Sequence, residues 1–146
     1  MKTIKVSTAI IKFQDGRLGF QLRDNCPTIE SPGKVVFFGG QSENDEDALQ
    51  ALYREIKEEL DLNIDVKNLK FIGTFTCPGP LHIMEQNVWV IEGIDINAVT
   101  VSEGFLCLAA CGKTLEKISF PKHLQSISLK ILEKAGLYNS SVNLQM

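Results

Sequence analysis

Residues Gly39 to Leu62 read GGQSENDEDALQALYREIKEELDL, and the fold turns on how the second half of that stretch is read. From Ala48 onward the apolar residues recur at helical spacing. With a rotation of about 100° per residue and Ala48 at zero, Leu49, Leu52, Ile56 and Leu60 fall in one arc roughly 120° wide, the stripe a helix turns toward a core. Glu55 and Glu59 land about 20° on either side of Ala48, inside or at the edge of that stripe. Gln50, Tyr53 and Lys57 take the opposite side. Acids that merely solubilise a helix would sit beside Lys57. Here two carboxylates point toward buried territory, with Glu58 on the same flank.

Three carboxylates at i, i+3 and i+4 are neighbours and repel one another. Partial burial makes their ionised forms costlier still unless positive charge compensates. Arg54, four residues before Glu58, can orient that side chain, but one guanidinium does not neutralise three acids. A hard divalent cation does: oxygen ligands suit Mg²⁺, which leaves room for waters and substrate phosphates. The competing reading is a charge-rich helix whose acids are simply solvated. The wheel positions weigh against it, as does the preceding diglycine, which lets backbone approach a ligand closely.

Gly40, five residues, Glu46, seven residues, Arg54-Glu55-Ile56-Lys57-Glu58-Glu59, one residue, then Asp61-Leu62 resembles the Nudix box. That pattern is Gly-x5-Glu-x7-Arg-Glu-U-x-Glu-Glu-x-Gly-U, with U aliphatic. Asp61 alone departs from it, standing where the family has glycine. That glycine would lie just past the helix end, where a left-handed backbone is common. Asp tolerates this conformation at a cost on the order of 1 kcal/mol. Phe38, where the family often has proline, and Asp45, where it often has glycine, supply no chemistry.

The resemblance implies a Nudix-like α/β/α sandwich with a central mixed β-sheet. It implies a single domain, taken as residues 1–138 with a flexible tail over 139–146. It also implies hydrolysis of a diphosphate bond in a nucleoside diphosphate derivative, dependent on Mg²⁺ with Mn²⁺ as a substitute. On the family pattern the metal ligands are the Gly39 carbonyl, Glu55, Glu58, Glu59 and Glu103. Glu103 comes from a Glu-Gly pair, Glu103-Gly104, in a loop opposite the helix. Glu58 or Glu103 would take the proton of the attacking water, and Arg54 would hold a box carboxylate in position. Arg23, Phe38 and His82 are the candidate substrate contacts, with Phe20 and Trp89 as further aromatic candidates. The alternative is a Nudix-like module that senses a nucleotide without cleaving it; Asp61 favours it, and the intact glutamates with Arg54 oppose it. A Ca²⁺ module of the EF-hand type lacks the required loop spacing.

At 146 residues, 44% hydrophobic and 23% charged, the chain fits one core. Eighteen acidic against fifteen basic residues leave no electrostatic footprint for nucleic acid or anionic membrane. The partner that the resemblance implies is a small nucleotide, met by a monomer or homodimer. The start MKTIKV lacks the apolar core of a signal peptide, and no apolar stretch is long enough to span a membrane. Cys26, Cys77, Cys107 and Cys111 then read as reduced thiols in the cytoplasm. Cys107 and Cys111 have no further partners at zinc-ligand spacing.

The flanking pattern supplies a sheet. TIKVSTAIIKF over residues 3–13 is a strand, Asp15-Gly16 a hairpin turn, and Leu18, Phe20 and Leu22 mark the return strand. A loop over 24–33 is a candidate binding mouth. Val35–Phe38 reads as one buried strand, and the helix begins near Asp45–Asp47. Strands follow at Lys70–Cys77 and, after Pro78-Gly79-Pro80 and a loop carrying His82, at Met84–Ile94, covered on both faces. FLCLAA is a further strand and Thr114–Ile118 a helical turn. A final helix runs from Pro121 to about Ala135, packing Leu124, Ile127, Ser128, Ile131 and Leu132, and stops at Gly136.

Overall fold

The computed structural model describes residues 2–26, 31–78 and 81–140. Its spine is β1 (Lys2–Phe13), whose residues Ser7 to Ile11 are all buried. A run buried on both faces must have both its neighbours and its covers inside the protein. On one side β1 pairs in parallel with β6 (His82–Ile94), from Lys2 opposite His82 to Phe13 opposite Ile94. Beyond it β5 (Leu69–Pro78) pairs antiparallel with β6. On the other side Ile11 and Lys12 pair with β2 (Leu18–Leu22) through the hairpin, and Val6 to Ala9 pair with β4 (Phe38–Gln41). β2 also carries β3 (Val35–Val36) and β7 (Phe105–Ala109). The result is one mixed seven-stranded sheet.

Two helices close it. α1 (Ala48–Leu60) lays Leu52, Ile56 and Leu60 on Ala9, Ile11, Trp89 and Ile91. α2 (Gln125–Lys134) lays Ile131 and Leu132 on Ile10, Val88 and Val90, the alternate residues of the same two strands. Each fully buried aliphatic side chain contributes roughly 1.5–3 kcal/mol. This is the expected α/β/α sandwich.

Three expectations need correction. Val35–Phe38 is not one strand: the chain leaves β2 after Val36 and joins β1 at Phe38, so the pleat is broken at Phe37. Phe38 consequently lies beneath α1, while Phe37 packs on the α2 side. Gly39 and Gly40 belong to β4, opposite Thr8 and Ser7. His82 opens β6 and pairs with Lys2. The last helix also starts later than Pro121, because a 3-10 turn over Lys122–Leu124 comes first. Residues 27–30 of the expected mouth, the break at 79–80 and the tail from 141 lie outside the described residues.

Candidate active site

The acidic helix is pinned at both ends. Asp47 caps it, its carboxylate accepting from the Gln50 N–H at 2.8 Å, while the Gln50 side chain accepts from the Asp47 N–H at 2.9 Å. Such a reciprocal pair satisfies two of the orphan donors at a helix start. The Ser7 hydroxyl donates to the Ala48 carbonyl at 2.6 Å, tying the first turn to β1. At the other end Asp61 adopts φ 52° and ψ 41°, and its N–H donates to the Lys57 carbonyl. The one departure from the Nudix pattern therefore takes the left-handed conformation that the glycine would take. The N–H groups of Thr100 and Ser102 donate to the carbonyls of Leu60 and Glu59, both at 3.0 Å, which docks the 100–104 loop onto the end of α1.

Arg54 is the hub of the site. Its Nε and Nη2 grip the two oxygens of Glu46 at 2.7 and 2.9 Å, a two-pronged carboxylate contact. Nη1 donates to Glu55 at 2.8 Å, and Nη2 to the Gln41 carbonyl at 3.1 Å. Glu58, the partner expected from helical spacing, is held only at 3.4 Å, and Glu43 at 3.5 Å. The guanidinium holds the Glu46 carboxyl down at about 2, with the Glu43 N–H helping. Glu46 was thus present in the spacing but missed as the main anchor of Arg54.

Glu59 is set deeper. Its carboxylate accepts from the Gly39 N–H at 2.7 Å. Burial pushes its carboxyl up to about 8; that hydrogen bond opposes the rise, and the charges of Glu55, Glu103 and Glu58 add to it. Burial also raises Glu55, against the pull of Arg54. The two glycines explain how so many acids fit. A Cβ on Gly40 would come within 2.5 Å of the Glu55 carboxylate, and one on Gly39, at φ +130°, would run into the Ser7 carbonyl. Glu103 is exposed; its carbonyl accepts from the Gln21 amide at 3.0 Å, and Gly104 takes φ +70°, where a Cβ would strike the Leu22 carbonyl.

Among the described residues no three acidic, histidine or cysteine side chains converge on one point as a metal cage would. Arg54 and the Gly39 N–H hold the nearest ones apart. The donor set nevertheless fits a hard cation. Glu43, Glu46, Glu55 and Glu58 surround one guanidinium, and the charges of Glu55, Glu103 and Glu58 add to the cost that burial sets on ionising Glu59. Oxygen-only ligands with spare negative charge are what Mg²⁺ and similar ions select.

Beside this cluster lies a cleft between the sheet and α2. Its inner part, about 140 Å³, is walled by Phe37, Phe120, Met84 and Leu124, and floored by Thr8 and Gln86, with Gly39 at its rim. An outer part of about 200 Å³ shares Val36, Met84, Pro121 and Leu124 and adds Arg23, Ser31 and His123. Arg23 thus lines the outer part of the cleft. Phe38 also lines the inner part, but it is 0% exposed and packs in the α1 core, whereas Phe37 packs on the α2 side. His82 lies outside the lining of either part; the imidazole at the outer cleft is that of His123. Phe20 is core, and Trp89 packs its ring on Phe71 at 5.2 Å.

The NUDIX domain model matches residues 4–98, a span that contains β1, the diglycine and the whole acidic helix. The chain belongs to the NUDIX domain family. Its box carries Arg54, Glu55, Glu58 and Glu59 intact, and it is a pyrophosphohydrolase. Solved structures repeat the fold across nearly the whole length. The MutT protein of Methanosarcina mazei Go1 aligns at a TM-score of 0.69 and 16% identity, over 92% of this chain and 96% of that one. The E. coli ORF135 protein aligns at 0.69 and 22%, over 93% and 90%. A bifunctional NMN adenylyltransferase/ADP ribose pyrophosphatase from Francisella tularensis aligns at 0.64 and 17%, over 90% of this chain and 41% of that one. No curated protein matches the sequence. The family as a whole works with a divalent metal such as Mg²⁺.

Proposed function

We propose that the chain hydrolyses a diphosphate bond in a nucleoside diphosphate derivative, a nucleoside triphosphate or a nucleotide sugar. The observation that carries this is Glu59: a carboxylate set among other acids and hydrogen-bonded to the backbone of Gly39, the residue that stands at the rim of an apolar cleft with aromatic walls. Glu55, Glu58, Glu59, Glu103 and the Gly39 carbonyl would hold Mg²⁺, with Mn²⁺ as a substitute. When bound, the ion supplies neutralising charge for the diphosphate oxygens and lowers the pKa of water. Arg54 keeps Glu55 in place against the repulsion of its neighbours, and Glu46 keeps Arg54 in place. The proton of the attacking water goes to a carboxylate not fully committed to the ion. Glu58, loosely held at 3.4 Å, and Glu103, exposed on its fixed backbone, are the two such groups. The cleft receives the nucleoside, with Arg23 at its outer end. The four free cysteines agree with a reducing, cytoplasmic setting.

The test is a panel of nucleoside triphosphates, nucleotide sugars and ADP-ribose with and without Mg²⁺, run beside Glu59→Gln. Metal-dependent release of phosphate, pyrophosphate or a nucleoside monophosphate, lost in the variant, is the expected result. Binding of nucleotides without turnover across the panel would instead make the protein a sensor.

A further inference from the structure

Taking the cleft as the nucleoside site, which rests on the reading just given, the floor of that cleft has a definite hydrogen-bonding polarity. Gln86 is 7% exposed and Thr8 3% exposed, both on the α2 face of the sheet among Val88, Val90 and Ile10. The Thr8 hydroxyl donates to the Gln86 Oε1 at 2.9 Å. That bond fixes the amide: a carbonyl oxygen turned toward β1 leaves the two N–H groups of Nε2 as the donors the side chain can offer to a ligand. Around them the walls are apolar, and Phe37 and Phe120 lie 5.7 Å apart, inclined by 35°. An inner cleft of 140 Å³ holds about five water volumes, the scale of one planar ring system. Aromatic walls suit a base's flat face better than a sugar's hydroxyls.

We propose that Gln86 is a specificity-determining residue that donates to a carbonyl oxygen on the base, so that keto bases are preferred over adenine, whose exocyclic group is itself a donor. Buried polar groups discriminate strongly because the wrong ligand leaves a donor facing a donor, with no water to separate them. Thr8 is then a positioning residue. It sets which end of the amide faces the base.

The probes are GMP, UMP and AMP, titrated by calorimetry into the metal-free protein, so that the readout does not depend on turnover. The unmodified protein should bind GMP or UMP at least 10-fold more tightly than AMP. Gln86→Glu keeps the acceptor for Thr8 but replaces the donors with an oxygen, and should erase or reverse that ratio. Thr8→Val, which frees the amide to turn, should bring the ratio within about 3-fold of unity while the protein still melts cooperatively. Equal affinity of the unmodified protein for all three, or an unchanged ratio in either folded variant, would overturn the assignment. These outcomes are separate from the proposed hydrolysis. If Glu59→Gln abolishes turnover while the ratio ignores Gln86, only the specificity assignment fails. If the ratio moves with Gln86 while no substrate is cleaved, only the hydrolysis fails.

Discussion

The two faces of the sheet solve opposite problems. Under α1, acids from one helical turn are crowded together and kept apart by Arg54 and a glycine N–H. Under α2, apolar side chains from β1, β6, the β3–β4 junction and the last helix leave an apolar cleft with one fixed amide at its base. Gly39 belongs to both, donating to Glu59 and standing at the rim of the cleft. The first face stores electrostatic cost that a cation can relieve. The second offers shape and a single polarity. Chemistry and recognition are thereby separable, and substitutions on the two faces should change different constants.

The sharpest contrast is kinetic. Glu59→Gln should lower kcat on the order of 10³-fold, whereas Phe37→Ala should raise KM and leave kcat within about 3-fold, because a cleft wall contributes binding common to ground and transition states. Initial rates with varied substrate decide between them. A fall in kcat as large for Phe37→Ala would merge the two faces into one.

Next comes the pair Phe37 and Phe38, adjacent in sequence and opposite in direction. Phe38→Ala removes a ring buried between Leu52, Ile56 and β1 and should cost about 3–4 kcal/mol in chemical denaturation. Phe37→Ala, at a partly exposed position, should cost roughly half as much. Equal costs would contradict the strand switch at Phe37.

Glu59 also makes a prediction about stability. Its folded pKa lies near 8, above the ordinary value of 4.5, so folding favours the protonated carboxyl. Its contribution is full below pH 4.5 and is lost as pH rises through 8. Without metal the protein should therefore weaken across that window, by on the order of 3 kcal/mol. Glu59→Gln keeps an acceptor for the Gly39 N–H and should melt several degrees higher than the parent at pH 8 with chelator present. Parallel melting curves from pH 5 to 8 would remove the claim that this carboxylate is buried at a cost. A smaller effect belongs to Arg54→Lys, which keeps charge but loses the two-pronged grip on Glu46. It should reduce kcat/KM about 10-fold, and combining it with Glu46→Gln should cost little more, since both act through one contact.

How much of this was legible follows the same division. The acidic face is local in sequence: i, i+3 and i+4 fix which side chains meet, so Glu55, Glu58 and Glu59 could be placed from spacing alone. Even there, Arg54 chose Glu46 over Glu58, because Glu46 sits on a turn that folds back over the helix, which no helical wheel contains. The cleft was not legible. Gln86 meets Thr8 across 78 residues through a parallel strand pair, and the Phe120 ring lies 5.7 Å from that of Phe37, far away in sequence. Val35–Phe38 was misread as one strand because a short apolar run looks continuous. The chain's change of partner at Phe37 has no local signature.

The smallest effect tests the one departure from the box. Asp61 holds φ 52°, a conformation that costs a side-chain-bearing residue about 1 kcal/mol relative to glycine. Its carboxylate meets Lys57 at 2.8 Å, but both side chains are more than half exposed, and such pairs give back only a few tenths of a kcal/mol. Asp61→Gly should therefore gain about 0.5 kcal/mol, a shift of 1–2 °C in Tm. Asp61→Ala, with neither the freedom nor the pair, should lose a similar amount. Activity should be unchanged in Asp61→Gly, because the helix end is already held by the Asp61 N–H on Lys57 and by the Ser102 N–H on Glu59. A gain of more than about 3-fold in kcat would mean that the cap does reach the acidic face, and that the chain trades activity for the local pair.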